Sequence, residues 1–233
     1  MASTDRVVFP RPLNRSLRGV GGFDLAVDRT FQRHLRDRPV VDRVMYGASA
    51  VGDHGILWFA IAGLQQVRRR RAGVASWRPF VRTTAGIGIE SALVNGPVKW
   101  MFRRDRPAVD AARPLRLRQP RTSSFPSGHA TSAFCAAALL RDGDPWWPLY
   151  YCAAVVVALS RVHVRIHHGS DVAGGIILGI ALGEVARYLV PLTKASVATS
   201  TMLSPARTVN LDLRSSGSRR SNARLGNPES AAE

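Results

Sequence analysis

Cysteine, lysine and acidic side chains are scarce in this 233-residue chain. Its two cysteines, Cys135 and Cys152, lie in apolar runs without CxxC or Cys/His spacing. That excludes a disulfide framework and a zinc site of paired ligands, and both read as small core residues. Among 33 basic residues only Lys99 and Lys194 are lysines; the arginine excess fits a high-GC genome and also suits planar phosphate recognition. Sixteen acidic residues leave a net charge of +17, which demands an anionic partner: nucleic acid, a phospholipid surface or a phosphorylated substrate. No Asp/Glu cluster suited to two metal ions occurs, so neither a metal nor another cofactor is expected. Met1–Val20 has no apolar core of export-signal length, so no cleaved signal is expected. Strict apolar/polar alternation is also missing, which argues against a sheet.

What the chain does have is apolar runs separated by arginine-rich connectors. The length suits one domain. Between Arg43 and Arg68 lie 24 residues, ending in GILWFAIAGL, close to the roughly 20 that cross a bilayer as a helix. Further runs cover 83–102, 128–140, 145–160 and 172–190. Small residues recur in them, as at Ala136–Ala138, Gly174–Gly175 and Gly179 with Gly183, and permit close helix contact in lipid. The expected fold is therefore all-α, a polytopic membrane bundle of about five spans, with a soluble helical protein as the alternative. Residues 22–43 mix Phe23, Leu25, Val27, Phe31 and Leu35 with charges at helical spacing, which predicts an amphipathic helix on the membrane or the bundle, or a solvated one. The expected organisation is an arm over 1–43, a membrane-embedded catalytic domain over 44–190, and a basic tail over 191–233 too poor in apolar residues to pack.

Polar residues collect at the ends of these runs, where such residues are functional candidates. Lys99-WMFRRD-Arg106-Pro107 supplies cations and a stiffening proline. Pro126-Ser127-Gly128-His129 precedes ATSAFCAAALL and so forms a helix start, whose amides and dipole favour an anion that Gly128 lets approach. Taken alone, an ordinary helix cap explains that tetrapeptide equally well. In Ser160-Arg161-VHVRI-His167-HGS-Asp171, a helical turn brings His167 and Asp171 together. Such a pair fits nucleophilic catalysis, with Asp171 fixing the tautomer and steadying the cation formed as the other nitrogen attacks phosphorus. His129 could protonate the leaving alkoxide, and Lys99, Arg106, Arg161, Ser127 and the Gly128 amide could neutralise phosphate without magnesium. His163 and His168 flank the nucleophile with no assigned task, and with His34 and His54 they read as structural or solvent-facing.

K-x6-RP, PSGH and SR-x5-H-x3-D, in that order and without substitution, resemble the three signatures of the type 2 phosphatidic acid phosphatase superfamily, over roughly Asp53 to Tyr188. The resemblance implies a helical bundle, a phosphohistidine on His167, His129 as general acid, Asp171 as its orienting partner, and a phosphate pocket of Lys99, Arg106, Ser127, Gly128, His129 and Arg161. It implies a lipid phosphate phosphatase, multi-pass in a bacterial cell membrane. Phosphatidic acid, phosphatidylglycerol phosphate, a polyprenyl diphosphate or a polyprenyl-phosphoryl sugar phosphate would present the same chemistry to His167.

Membrane members commonly have six spans against the five counted, and with five the arm shares a face with the site. Arginine distribution does not choose the cytoplasmic face: the RRRR at 68–71 and the 103–121 loop point opposite ways. Vanadium haloperoxidases resemble the same motifs and form a rival class. A basic membrane or nucleic-acid binding protein would account for the charge alone but leaves the motif order unexplained; no nucleic acid is expected. Arg207, Arg214, Arg219, Arg220 and Arg224 could rest the tail on anionic lipid.

Overall fold

The computed structural model describes residues 15–108 and 122–193, excepting the side chains of 15–18 and of His54. The basic loop at 109–121 and the C-terminal tail lie outside the described residues. Among those described, every regular element is helical. In chain order they are α1 (Arg15–His34), α2 (Pro39–Val51), a 3₁₀ turn (Asp53–Gly55), α3 (Ile56–Arg71), α4 (Arg78–Leu93), a π segment (Val94–Val98), α5 (Lys99–Phe102), α6 (Gly128–Leu140), α7 (Trp147–His163) and α8 (Gly169–Leu189).

The expected run at 128–140 coincides with α6, and those at 145–160 and 172–190 fall on α7 and α8. The run between Arg43 and Arg68 does not form one helix. Gly52 ends α2, and Gly55 at φ +71° takes a left-handed conformation that only glycine adopts without strain. The break falls on Gly52-Asp53-His54-Gly55, an interruption too short to lower the mean hydropathy of the run decisively. The amphipathic segment expected at 22–43 likewise divides, between α1 and α2, and residue 43, the expected end of the arm, falls within α2. Pro39 at the first positions of α2 sets that restart, since its missing N–H costs nothing there. The 83–102 run bends at Gly96, whose φ −94° and ψ −106° are not helical, next to Pro97. One described helix, α8, is long and apolar enough to cross a bilayer by itself.

α6 is the central element, packed against α4, α7 and α8. Ala130, Ala133, Ala136, Ala137, Ala138 and Leu140 on it are wholly buried. Contact with α8 is backbone-close: a Cβ on Gly175 would lie 2.7 Å from Ser127 O, and one on Gly179 would lie 2.4 Å from Thr131 O. A Cβ on Gly183 would meet Ala138 Cβ at 2.6 Å. Glycines every fourth residue thus present a side-chain-free stripe of α8 to α6. Of the two expected core cysteines, Cys135 is buried, whereas Cys152 sits on an outward position of α7 and is exposed.

The last carbonyls of α6 need donor partners from elsewhere. Arg82 Nη2 donates to Leu139 O at 2.7 Å and Gln65 Nε2 to Leu140 O at 2.8 Å. Below them Asp142 binds Arg82 (2.8 Å) and Arg187 (2.6 Å), and Asp144 accepts from Arg68 (2.6 Å) and Tyr150 (2.8 Å). Partial burial pushes the Asp142 carboxyl up, but bonds from Arg187 and Arg82 outweigh it and hold the group below its usual range. This ionic layer clamps α3, α4, α6 and α8 at the end away from the motif residues.

Candidate active site

All eight residues nominated by the motifs gather at the other end. His167 lies in the α7–α8 connection and Asp171 in the first turn of α8. His167 Nδ1 is 3.6 Å from Asp171 Oδ2, and both side chains are buried. Asp171 also accepts from Ser124 Oγ, from His168 N at 2.8 Å and from Arg104 Nη1 at 2.6 Å. Burial pushes the His167 imidazole down to about 3; Asp171 pulls it back up, while Arg106 and Arg161 add to the depression. His167 is therefore neutral at neutral pH. Arg106 Nη1 contacts its Nε2 at 3.2 Å, and a guanidinium can only donate, so Nε2 carries the lone pair and Nδ1 the proton that faces Asp171.

Arg106 is fixed from several sides: its Nη1 reaches Ile166 O at 3.1 Å and its Nη2 reaches Ser123 O at 3.2 Å. The start of α6 is tied to α8 because Ser127 N donates to Asp171 O at 3.0 Å. The second and third motifs are thus joined through backbone. A Cβ on Gly128 would lie 3.5 Å from Lys99 Nζ and 3.2 Å from Asn95 Oδ1, so the cation closes over the glycine. The π segment and the bend at Gly96 deliver Lys99 there, and its ammonium donates to Asn95 Oδ1 at 2.8 Å. Arg161 donates through Nη1 to Ser49 Oγ at the end of α2. Ser127 Oγ, His129 Nε2 and Arg161 Nε are buried without a hydrogen-bond partner in the chain. Unpaired buried atoms occur elsewhere too, as at Thr83 Oγ1 and Glu90 Oε1, but three together on motif residues suit the acceptor and donor atoms of an arriving phosphate ester.

Several contributors carry no motif signal. Arg104, inside the spacer of the first motif, bridges Asp171 to Asp24 of α1 through Nη2 at 2.5 Å, and Asp24 Oδ1 accepts from Ser170 N at 2.7 Å. The arm therefore lies at the same end as the site. Ser124, two residues before PSGH, stands 3.5 Å from His167 Nδ1. Asn95 precedes Lys99 by one helical turn. A helical turn relates Asn95 to Lys99, but nothing local in sequence ties Asp24 or Ser124 to Asp171. His163 has a structural task, its Nε2 lying 2.7 Å from Asp42 Oδ1, and His168 caps α8. Among the described residues no group of three His, Cys, Asp or Glu side chains converges on a metal-sized site.

The PAP2 superfamily model matches residues 79–194. Decaprenylphosphoryl-5-phosphoribose phosphatase of Mycobacterium tuberculosis (strain CDC 1551 / Oshkosh) is 35% identical over 166 residues, covering 70% of this chain and 88% of that protein. The chain belongs to the PAP2 superfamily. Solved PAP2 folds agree with its architecture. The transmembrane PAP2-type phosphatidylglycerolphosphate phosphatase of Bacillus subtilis superposes with a TM-score of 0.57 at 25% identity, over 76% of this chain and 87% of that one. LpxE of Aquifex aeolicus gives 0.55 at 23% identity, over 70% and 94%. The motif resemblance and the family match coincide over α4 to α8, which include the helices around the candidate site.

Proposed function

We propose that this PAP2 protein is a multi-pass membrane enzyme that hydrolyses the phosphomonoester of a lipid-linked sugar phosphate through a phosphohistidine on His167. Lipid phosphates are the substrates named for its relatives, and a polyprenyl-phosphoryl pentose phosphate for the mycobacterial one. The observation that carries the reading is the orphaned trio Ser127 Oγ, His129 Nε2 and Arg161 Nε beside a buried, neutral His167.

In the proposed reaction His167 Nε2 forms a bond to phosphorus as the ester P–O bond breaks, and His129 gives its proton to the departing oxygen. Asp171 holds the Nδ1 proton and balances the charge that develops on the ring. Lys99, Arg106, Arg161, Ser127 and the first-turn amides at Gly128 receive the non-bridging oxygens. Water then attacks the phosphohistidine, returning the proton to His129 and releasing phosphate.

The surface supports a bilayer as solvent. Ile56, Leu64, Val81, Ile89, Ile177 and Val185 point outward from α3, α4 and α8 and are exposed. Exposed Trp77, Trp146 and Trp147 ring one end and exposed Trp100 the other. Between Trp77 and Trp100 run α4, the bent π segment and α5, and the straight part, α4, rises roughly 24 Å, most of the depth of a hydrocarbon core. An apolar groove of about 700 Å³ between α4 and α8, lined by Val81, Ile89, Leu93, Leu182 and Leu189, suits a lipid chain.

The test is phosphate release in detergent with EDTA from a panel of lipid phosphates, comparing wild type with His167→Ala. Release lost in the variant supports the reading, as does radiolabelled phosphate trapped on acid-quenched protein. Equal release from both proteins would sink His167 as nucleophile.

A further inference from the structure

The cations of the site surround the phosphate, whereas the surroundings of the leaving group are set elsewhere. If His129 protonates the departing oxygen, whatever borders His129 Nε2 also borders the group that leaves. That neighbour is Asp53. Its Oδ1 lies 3.3 Å from His129 Nε2, at ion-pair distance but without hydrogen-bond alignment, so the imidazole nitrogen stays orphaned. The Asp53 side chain is 56% exposed, so one carboxylate oxygen touches the ring while more than half of the side chain faces the outside of the bundle.

Packing fixes this arrangement. A Cβ on Gly52 would lie 3.0 Å from Val157 Cγ1 and 3.2 Å from His129 Cδ2, so the 3₁₀ turn rests directly on the imidazole edge. Gly55 at φ +71° closes the turn into α3. Ser49, one turn earlier on α2, is held by Arg161, which also lies within electrostatic reach of Asp53. The break that splits the apolar run 44–67 thus sets a carboxylate beside the orphaned histidine.

We infer that Asp53 is a specificity-determining residue, selecting phosphomonoesters whose departing oxygen sits on a hydroxyl-bearing sugar or glycerol carbon and disfavouring diphosphates, whose departing oxygen belongs to a second phosphate. The inference deepens the phosphatase reading above and rests on it. In a sugar or glycerol monoester the departing oxygen belongs to an alcohol whose neighbouring hydroxyls can donate to Asp53. That oxygen needs a proton to leave, and Asp53 opposes the burial and the Arg161 and Lys99 charges that disfavour a proton on His129. In a diphosphate the departing oxygen belongs to a second phosphate, which needs no such proton and brings its own negative charge against Asp53. Like charges brought that close in a partly exposed site lower productive binding by roughly tenfold to a hundredfold, less what Arg161 offsets.

The experiment compares a short-chain polyprenyl-phosphoryl ribose 5-phosphate with the polyprenyl diphosphate of the same chain length, in detergent, using wild type, Asp53→Asn and Asp53→Glu. Wild type should prefer the monoester. Asp53→Asn should lower the ratio of kcat/KM, monoester over diphosphate, by about tenfold or more, losing turnover on the first and gaining it on the second. Asp53→Glu, which keeps the charge, should keep the preference. A ratio within twofold of wild type in Asp53→Asn overturns the inference, as does a parallel loss on both substrates while thermal unfolding is unchanged. Should Asp53→Asn fail to fold, loss of the preference in Asp53→Glu overturns it instead. Wild type that hydrolyses neither lipid overturns the phosphatase reading itself, a result distinct from an unmoved ratio.

Discussion

Arg106 Nη1 stands 3.2 Å from His167 Nε2, and because a guanidinium can only donate, that nitrogen is the unprotonated one and carries the lone pair. Burial, reinforced by Arg106 and Arg161, brings the imidazole down to about 3 against the pull of Asp171. An unfolded histidine takes its proton near 6.5. The folded chain resists protonation, so the stabilisation is complete above pH 6.5 and is lost as pH falls from there toward 3. Between pH 6.5 and 5, wild type should lose about 2 kcal/mol more stability than His167→Gln, which has no such proton to bind. Thermal unfolding in detergent at the two pH values measures this, and equal losses in both proteins would remove the basis for a neutral nucleophile.

Ser124 gives its hydroxyl proton to Asp171 Oδ2, the oxygen that faces His167. Without that bond the buried carboxylate can turn away from the imidazole. Ser124→Ala should therefore lower kcat about tenfold, near 1.4 kcal/mol, the size of a hydrogen bond to a charged group. Because Ser124 is proposed to act through Asp171 and not on substrate, KM should stay within about twofold. Steady-state kinetics separate the two, and a change confined to KM would argue that Ser124 touches the substrate.

The motif residues were legible because their chemistry fixes their spacing: His167 and Asp171 must share a turn, and PSGH must open a helix for its amides to meet an anion. α6 was legible to the residue, since its apolar run is bounded by that tetrapeptide and by Arg141. The turn at 52–55 was not, because hydropathy averaged over residues 44–67 smooths over the short Gly52-Asp53-His54-Gly55 interruption. Arg104 and Asp24 meet across 80 residues of chain, a distance at which no local pattern operates. Asp53 carries no motif signal of its own; its neighbour His129 is supplied by the fold.

Arg104 couples α1 to the proposed catalytic carboxylate by binding Asp24 at 2.5 Å and Asp171 at 2.6 Å. If α1 braces the site through this residue, Asp24→Asn and Arg104→Gln should each lower kcat several-fold, and the double variant should be little worse than Arg104→Gln alone. The resulting coupling should be on the order of 1 kcal/mol for a partly exposed charge pair. Additive losses in the double-mutant cycle would mean that Asp24 supports the fold independently of Arg104.

Gly179 is where the α6–α8 contact has least room. A methyl group there would lie 2.4 Å from Thr131 O and 3.0 Å from Thr131 Cα, both backbone atoms that cannot swing aside. At Gly86 of α4 the clash, though 2.7 Å, is with Leu139 Cδ1, the far end of a flexible side chain. The two glycines should therefore differ. Gly179→Ala should cost about 1 to 3 kcal/mol and spread α6 from α8. Spreading those helices would pull Ser127 N from Asp171 O, the bond that joins the second motif to the third, so activity should fall with stability. Gly86→Ala should cost less and leave kcat near wild type, because Leu139 lies toward the ionic layer and not the site. Thermal unfolding and kcat measured on both variants decide this, and equal losses at the two positions would show that helix spacing is not what positions the proposed catalytic groups.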